Sequence, residues 1–223
     1  WGDASLSYFN GYDRGFSLLK PTDMLVIPFI PQFGYRKTDM IGADFVTFIG
    51  DITIRYELGY FNTENIYGNN VDMVFDVSAD YLQYVFQFEY SGFSDIKFGA
   101  QFLGTNIFSA DGTTFNGQAP IPLTKDNFTP AMGTPFAMIA EKAIIVNGSG
   151  NFFDDRLEVS AMSLINLEET GYMLGMNAGY SPIEDWELKL GLTKFIGDAD
   201  GRENRFTLME DFSHLSFGLD FNF

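Results

Sequence analysis

Leu215-Ser216-Phe217-Gly218-Leu219-Asp220-Phe221-Asn222-Phe223 alternates apolar and polar residues without a break to the end of the chain. Successive side chains of an extended strand point to opposite faces, so Leu215, Phe217, Leu219, Phe221 and Phe223 share one face, and Ser216, Gly218, Asp220 and Asn222 the other. A strand with lipid on one side and a polar lumen on the other explains both the alternation and the apolar finish. The stretch predicts an all-β fold, an antiparallel transmembrane β-barrel in a bacterial outer membrane.

The same period recurs upstream. Trp186, Leu188, Leu190 and Leu192 alternate with Glu187, Lys189, Gly191 and Thr193. Tyr172, Leu174, Met176, Ala178 and Tyr180 form a row closed by tyrosine at both ends, as at a membrane interface. Leu157, Val159 and Ala161 oppose Glu158, Ser160 and Met162, whereas Ala137 to Val146 is mixed on both faces. In the first half the apolar rows are Ile96 to Phe102, Leu82 to Tyr90, Ile52 to Tyr60, Ile41 to Ile49 and Ala4 to Tyr8. Ten strands are predicted, in a single domain spanning residues 1–223.

Outer-membrane barrels have short turns on the periplasmic side and longer loops outside. Counted back from Phe223, the connectors Gly197–Ser213, Thr105–Pro135, Asn62–Asp80 and Asp13–Gln32 are long and fall on the external side. Ser181–Asp185, Ser91–Asp95 and Gly50-Asp51 are short, and Asn147–Asp155 is moderate, on the periplasmic side. Asn166–Thr170 alone breaks the rule. A soluble sandwich has no reason to sort its loops by length in this way.

Composition agrees. The 223 residues are 17% aromatic, with 25 Phe and no Cys, and no apolar run approaches the ~18 residues of a membrane helix. Thirteen basic against 30 acidic residues give a net charge of −17, which argues against a nucleic-acid partner.

The chain also resembles a family of porin-like outer-membrane proteins of Gram-negative bacteria, similar to alginate-export and other specialised porins. The resemblance lies in Trp1 to Asp13, in Met40 to Phe45 running into Gly50-Asp51 and Arg55 to Phe61, in Tyr81 to Val85, and in Phe195 to Asp200. It implies a scaffold more specifically than a solute. Members are usually longer, and Gly2-Asp3 looks like the Gly50-Asp51 turn, so further strands are expected before Trp1. Phe223 resembles the carboxyl-terminal aromatic signal read by the barrel-assembly machinery.

No catalytic or metal site is predicted and no cofactor. With one histidine, His214, and no cysteine, thiol catalysis and His/Cys metal centres are excluded. The spacing of His214 and Ser216 resembles outer-membrane lipid A deacylases, but no third member stands at a suitable spacing. Asp198 to Glu203 is rich in oxygen ligands yet lacks the spacing of a calcium loop, and it reads as a solvated hairpin loop.

Alternation assigns Asp44, Arg55, Glu57, Gln83, Gln87, Glu89, Lys97, Gln101, Glu158, Glu187, Lys189 and Asp220 to the inward face, because a charge facing lipid costs up to ~2–4 kcal/mol. In a wide barrel such residues line a pore; in a narrow one they fill the interior as salt-bridged pairs. The Pro- and Gly-rich segment Thr105–Pro135 is the candidate constriction, with Asp111, Lys125 and Asp126 as selectivity residues; a plain surface loop is the alternative. The expected function is passive diffusion of small hydrophilic solutes with a weak cation preference. The alternative is a structural barrel anchoring or sheathing an envelope partner such as a cytochrome. Partners are outer-membrane lipid, the assembly machinery and small solutes, with a homo-oligomer left open.

Overall fold

The computed structural model describes residues 2–20, 32–64, 77–93, 95–115, 119–130, 140–198 and 205–221. Ten long antiparallel strands pair in strict succession. They are β1 (Gly2–Lys20), β2 (Gln32–Ile49), β3 (Ile52–Glu64), β4 (Val77–Phe93), β5 (Ile96–Phe115), β7 (Lys142–Phe152), β8 (Leu157–Asn166), β9 (Tyr172–Tyr180), β10 (Trp186–Ile196) and β11 (His214–Phe221). A three-residue strand, β6 (Pro120–Pro122), pairs only with the far end of β5. One short helix, α1 (Arg205–Met209), and a 3-10 turn at Glu210–Phe212 precede β11. The sheet is an open meander: β1 and β11 are its edges, and each is paired on one side only.

Alternation located the strands because it is a packing requirement, and the registers show it acting across the whole sheet. Asp44 stands opposite Glu57, Gln87 opposite Gln101, Ser160 opposite Asn177 and Glu187 opposite Asp220, so one face collects the polar rows. The other face carries Leu6, Ile41, Phe45, Phe86, Phe98, Met176, Leu190, Phe217 and Leu219, all exposed. Exposure there reaches 85% at Leu6, 74% at Phe217 and 63% at Ile41, in contiguous rows rather than isolated residues. Soluble monomers rarely leave an apolar surface of that extent uncovered.

Strands run further into several connectors than alternation indicates. The Thr105–Pro135 segment is a loop only in part, because β5 continues to Phe115 against the start of β4, with Gly112 opposite Val77 and Ala110 opposite Ala79. A bulge after Ile107 breaks the two-residue period, which hides this continuation from a periodicity reading. Likewise β7 begins at Lys142 and runs through Asn147 to Phe152, so that the moderate connector shrinks to Phe153–Arg156. Residues 137–139 of the mixed segment lie outside the described residues. So do Phe223, the proline-bearing stretch 21–31, residues 65–76 and most of the acidic run after Asp198.

With these bounds the connectors sort cleanly to two ends of the sheet. At one end the turns 50–51, 94–95, 153–156 and 181–185 hold two to five residues. Their backbones are laced together, with Ser91 N–H donating to Asp51 O, Asn151 N–H to Asp95 O and Ser181 N–H to Arg156 O. At the other end four of the five connectors are long, and 167–171 remains the exception.

Candidate functional site: the polar inner wall

All twelve residues assigned inward by alternation share one face of the sheet. They are not gathered into one site: eight line one or other of two clefts, and Arg55, Glu89, Lys97 and Asp220 line neither. The larger, of about 630 Å³, is carried by β1–β5 and includes Asp44, Glu57, Gln83, Gln87 and Gln101 in its lining. Gly42 and Gly59, both in its lining, stand directly opposite each other. A Cβ on Gly42 would lie 2.6 Å from Ser7 Oγ, and one on Gly59 2.8 Å from the Phe61 ring. Asp44 accepts a hydrogen bond from Ser5 Oγ.

The second cleft, of about 370 Å³, lies on β8–β11 and contains Glu158, Ser160, Asn177, Glu187, Lys189 and Ser216. Here a cation stands among the carboxylates. Lys189 Nζ is 3.2 Å from Glu187 and 2.6 Å from Asp220, so one cation bridges two carboxylates across the β10–β11 pair. His214 and Ser216 are on this same face, but the hydrogen bonds they make are to backbone: His214 Nδ1 lies 2.9 Å from Phe212 O, and Ser216 Oγ donates to Gly191 O.

Towards the long-loop end this face of the sheet becomes apolar, which alternation alone does not reveal. Phe61 and Tyr81 stack across β3–β4 with centroids 4.8 Å apart, and Leu123 and Phe128 fold down from the β6 segment onto them. The Arg36 guanidinium lies 5.1 Å above the Phe128 ring. Burial disfavours the charged form of Arg36, and the nearby Asp13 opposes that shift. On the other half, Phe206 of α1 is buried with Leu164 and Phe195. Gly171 is needed there, because a Cβ would lie 2.6 Å from the Phe206 ring.

Residues 119–130 and the helix α1 therefore pack on this face of the sheet. Of the three constriction candidates, Lys125 and Asp126 are exposed on the segment that folds inward. Asp126 shares a cleft with Glu141, Glu168, Glu169 and Arg205. Burial first, and then the charge of Glu168, hold the Glu141 carboxyl above the usual carboxylate range. Asp111 does not belong with them. It sits in β5 opposite Ser78, on the outward face shared with Asp80, because the bulge at the preceding residues carries β5 on as a paired strand.

A polar motif on the outward face was also missed. Tyr8-Phe9-Asn10 and Tyr60-Phe61-Asn62 repeat one tripeptide, and each faces an aspartate on the next strand. Tyr8 Oη (3.0 Å) and Asn10 Nδ2 (2.5 Å) donate to Asp39, while Tyr60 Oη (3.0 Å), Asn62 Nδ2 (2.7 Å) and Ser109 Oγ (2.8 Å) donate to Asp80. The repeated tripeptide was the signal available in the sequence. Among the described residues no helix is long and apolar enough to cross a membrane, which says nothing of a crossing by strands. No protein-family model matches the chain, and no curated protein is significantly similar to it.

Proposed function

We propose that the sheet is the wall of an outer-membrane β-barrel, a porin-like channel that passes small hydrophilic solutes with a weak preference for cations. The observation that carries this reading is the division of one sheet into a continuous exposed apolar face and a polar face containing two clefts. Such a sheet fits lipid outside and water inside. Strand length supports it: β7 to β10 hold 9 to 11 residues, the ~9–11 needed by a tilted strand to cross the hydrocarbon core. The aromatic rows support it too, since Tyr180, Trp186 and Phe221 lie at the turn end and Tyr8, Tyr60 and Tyr172 towards the loop end.

The cation preference follows from the inner wall. Six of the twelve residues are acids (Asp44, Glu57, Glu89, Glu158, Glu187, Asp220) and three are bases (Arg55, Lys97, Lys189). A ring of carboxylates raises the local concentration of cations and lowers that of anions. The protein purified from outer membranes and placed in a planar bilayer should give discrete openings whose reversal potential, in a potassium chloride gradient, shifts towards the potassium equilibrium potential. A protein that inserts but never conducts would defeat the channel and favour the second reading, a structural barrel around or beside an envelope partner. The packing of Leu123 and Phe128 on the inner wall is the observation on that side.

A further inference from the structure

The two inner clefts differ in how their charges are met. In the β8–β11 cleft, Lys189 forms an ion pair with both Glu187 and Asp220. In the β1–β5 cleft, Asp44 and Glu57 stand directly opposite each other, and neither forms an ion pair with a cation among the described residues. Like charges at a directly opposed cross-strand pair are destabilising. No Lys, Arg or His lines this cleft. What does line it, apart from apolar wall, is acceptor-rich: two carboxylates, the amides of Gln83, Gln87 and Gln101, and the Ser7 hydroxyl. Ionised carboxylates only accept hydrogen bonds, so the ligand that suits this lining is a donor. Within this lining Gln83 is only 4% exposed, while Asp44 and Glu57 are exposed.

An anionic solute is disfavoured by the two carboxylates. A metal ion lacks a ligand set, because among the described residues no three His, Cys, Asp or Glu side chains converge. An ammonium group needs only acceptors and supplies both the donors and the positive charge. The cleft volume of about 630 Å³ leaves room for a carbon chain beside it. We propose that the β1–β5 cleft is a saturable subsite for small organic amines, with Asp44 and Glu57 holding the ammonium group and the glutamine amides holding its remaining donors. This rests on the channel reading for its place in a solute path, but not for the binding itself.

The probe is spermidine, titrated calorimetrically into the full chain in neutral detergent micelles, with folding of every variant verified by its heat-modifiable migration. Wild-type protein should bind saturably, and the Asp44→Asn, Glu57→Gln double variant should bind roughly tenfold or more weakly. Because the whole chain is acidic, a second double variant removes the same charge elsewhere: Asp154→Asn with Asp185→Asn, both in turns at the far end of the sheet. It should bind as tightly as wild type. Equal weakening by the two double variants, equal binding of uncharged sorbitol, or no saturable binding at all would overturn the subsite. Binding without conductance would sink the channel reading and leave the subsite standing; conductance without binding would do the reverse.

Discussion

At the residue scale, the carboxylates are distinguished by what donates to them. Asp80 of β4 collects hydrogen bonds from Tyr60 and Asn62 on β3 and from Ser109 on β5. Removing it leaves three donors to find water at once, although its partly exposed setting screens much of the loss. Asp80→Ala should lower stability by about 1 kcal/mol, read from the urea midpoint of the refolded protein, and Asp39→Ala, which releases only two donors, should shift that midpoint less. Equal shifts would mean that the number of donors is irrelevant. Glu141 behaves oppositely because its carboxyl is raised by burial and by Glu168. Its neutral form is favoured in the fold, so the contribution is fully present below the unfolded value of 4.5 and is lost as pH rises through the higher folded value. The difference in midpoint between Glu141→Gln and wild type should therefore grow from pH 4 to 7 in favour of the variant; a difference independent of pH would refute that sign. None of this pairing was legible in the sequence beyond the repeated Tyr-Phe-Asn, because a carboxylate's partners lie some 18 to 31 residues away.

At the element scale, alternation revealed the strands and their faces but not their ends. That the residues from Asp44 to Asp220 share one face followed from parity alone, because the rows opposite them are mostly apolar. Ends depend on pairing with a distant partner, and the bulge in β5 and the far end of β7 depend on β4 and β8 respectively. The turn that results, Phe153–Arg156, holds three consecutive non-glycine residues at positive φ: Phe153 at 58°, Asp154 at 55° and Asp155 at 64°. A left-handed conformation costs an L residue roughly 1 kcal/mol that glycine avoids. Asp154→Gly should raise the unfolding midpoint by about that amount, whereas Asp155→Gly should gain less, because Asn151 Nδ2 donates to the Asp155 carboxylate at 3.1 Å. The inward fold of the β6 segment was half legible: its prolines and glycines marked an irregular element, but only the packing of Phe128 on Tyr81 fixes which way it turns. Phe128→Ala should cost about 3 kcal/mol of local stability. The amides of 119–130 should then exchange faster with deuterium, and the single-channel conductance should rise as the segment leaves the wall. Faster exchange with unchanged conductance would place the segment outside the conducting path.

At the scale of the whole molecule, the unresolved tension is between a lipid-facing sheet and two free edges. Every unpaired N–H or C=O in the hydrocarbon core costs several kcal/mol, so an open edge is unstable there even though it is tolerable in water. The exposure of Leu215 at 70% and Leu6 at 85% belongs to the same geometry, since each sits on a strand with one neighbour. If the sheet does face lipid, something must seal β1 and β11, and the seal is measurable. In lipid bilayers the backbone amides of β11 should be as protected from deuterium exchange as those of β10, and those of β1 as those of β2. Edge amides that exchange within seconds while the interior strands stay protected would mean that the sheet is open in the membrane, which the lipid-facing reading does not survive. The identity of the seal is then read by cysteine pairs, introduced into a chain that has no cysteine of its own. Direct closure of the ten strands brings the inward face of β1 beside that of β11, so that one pair in a scan combining Ser5 or Ser7 with Ser216 or Gly218 forms an intramolecular disulfide. Protection at both edges without any such disulfide assigns the seal to other strands and makes the barrel wider than ten. Lumen width grows with strand number, so that result would also favour an open pore over a filled interior.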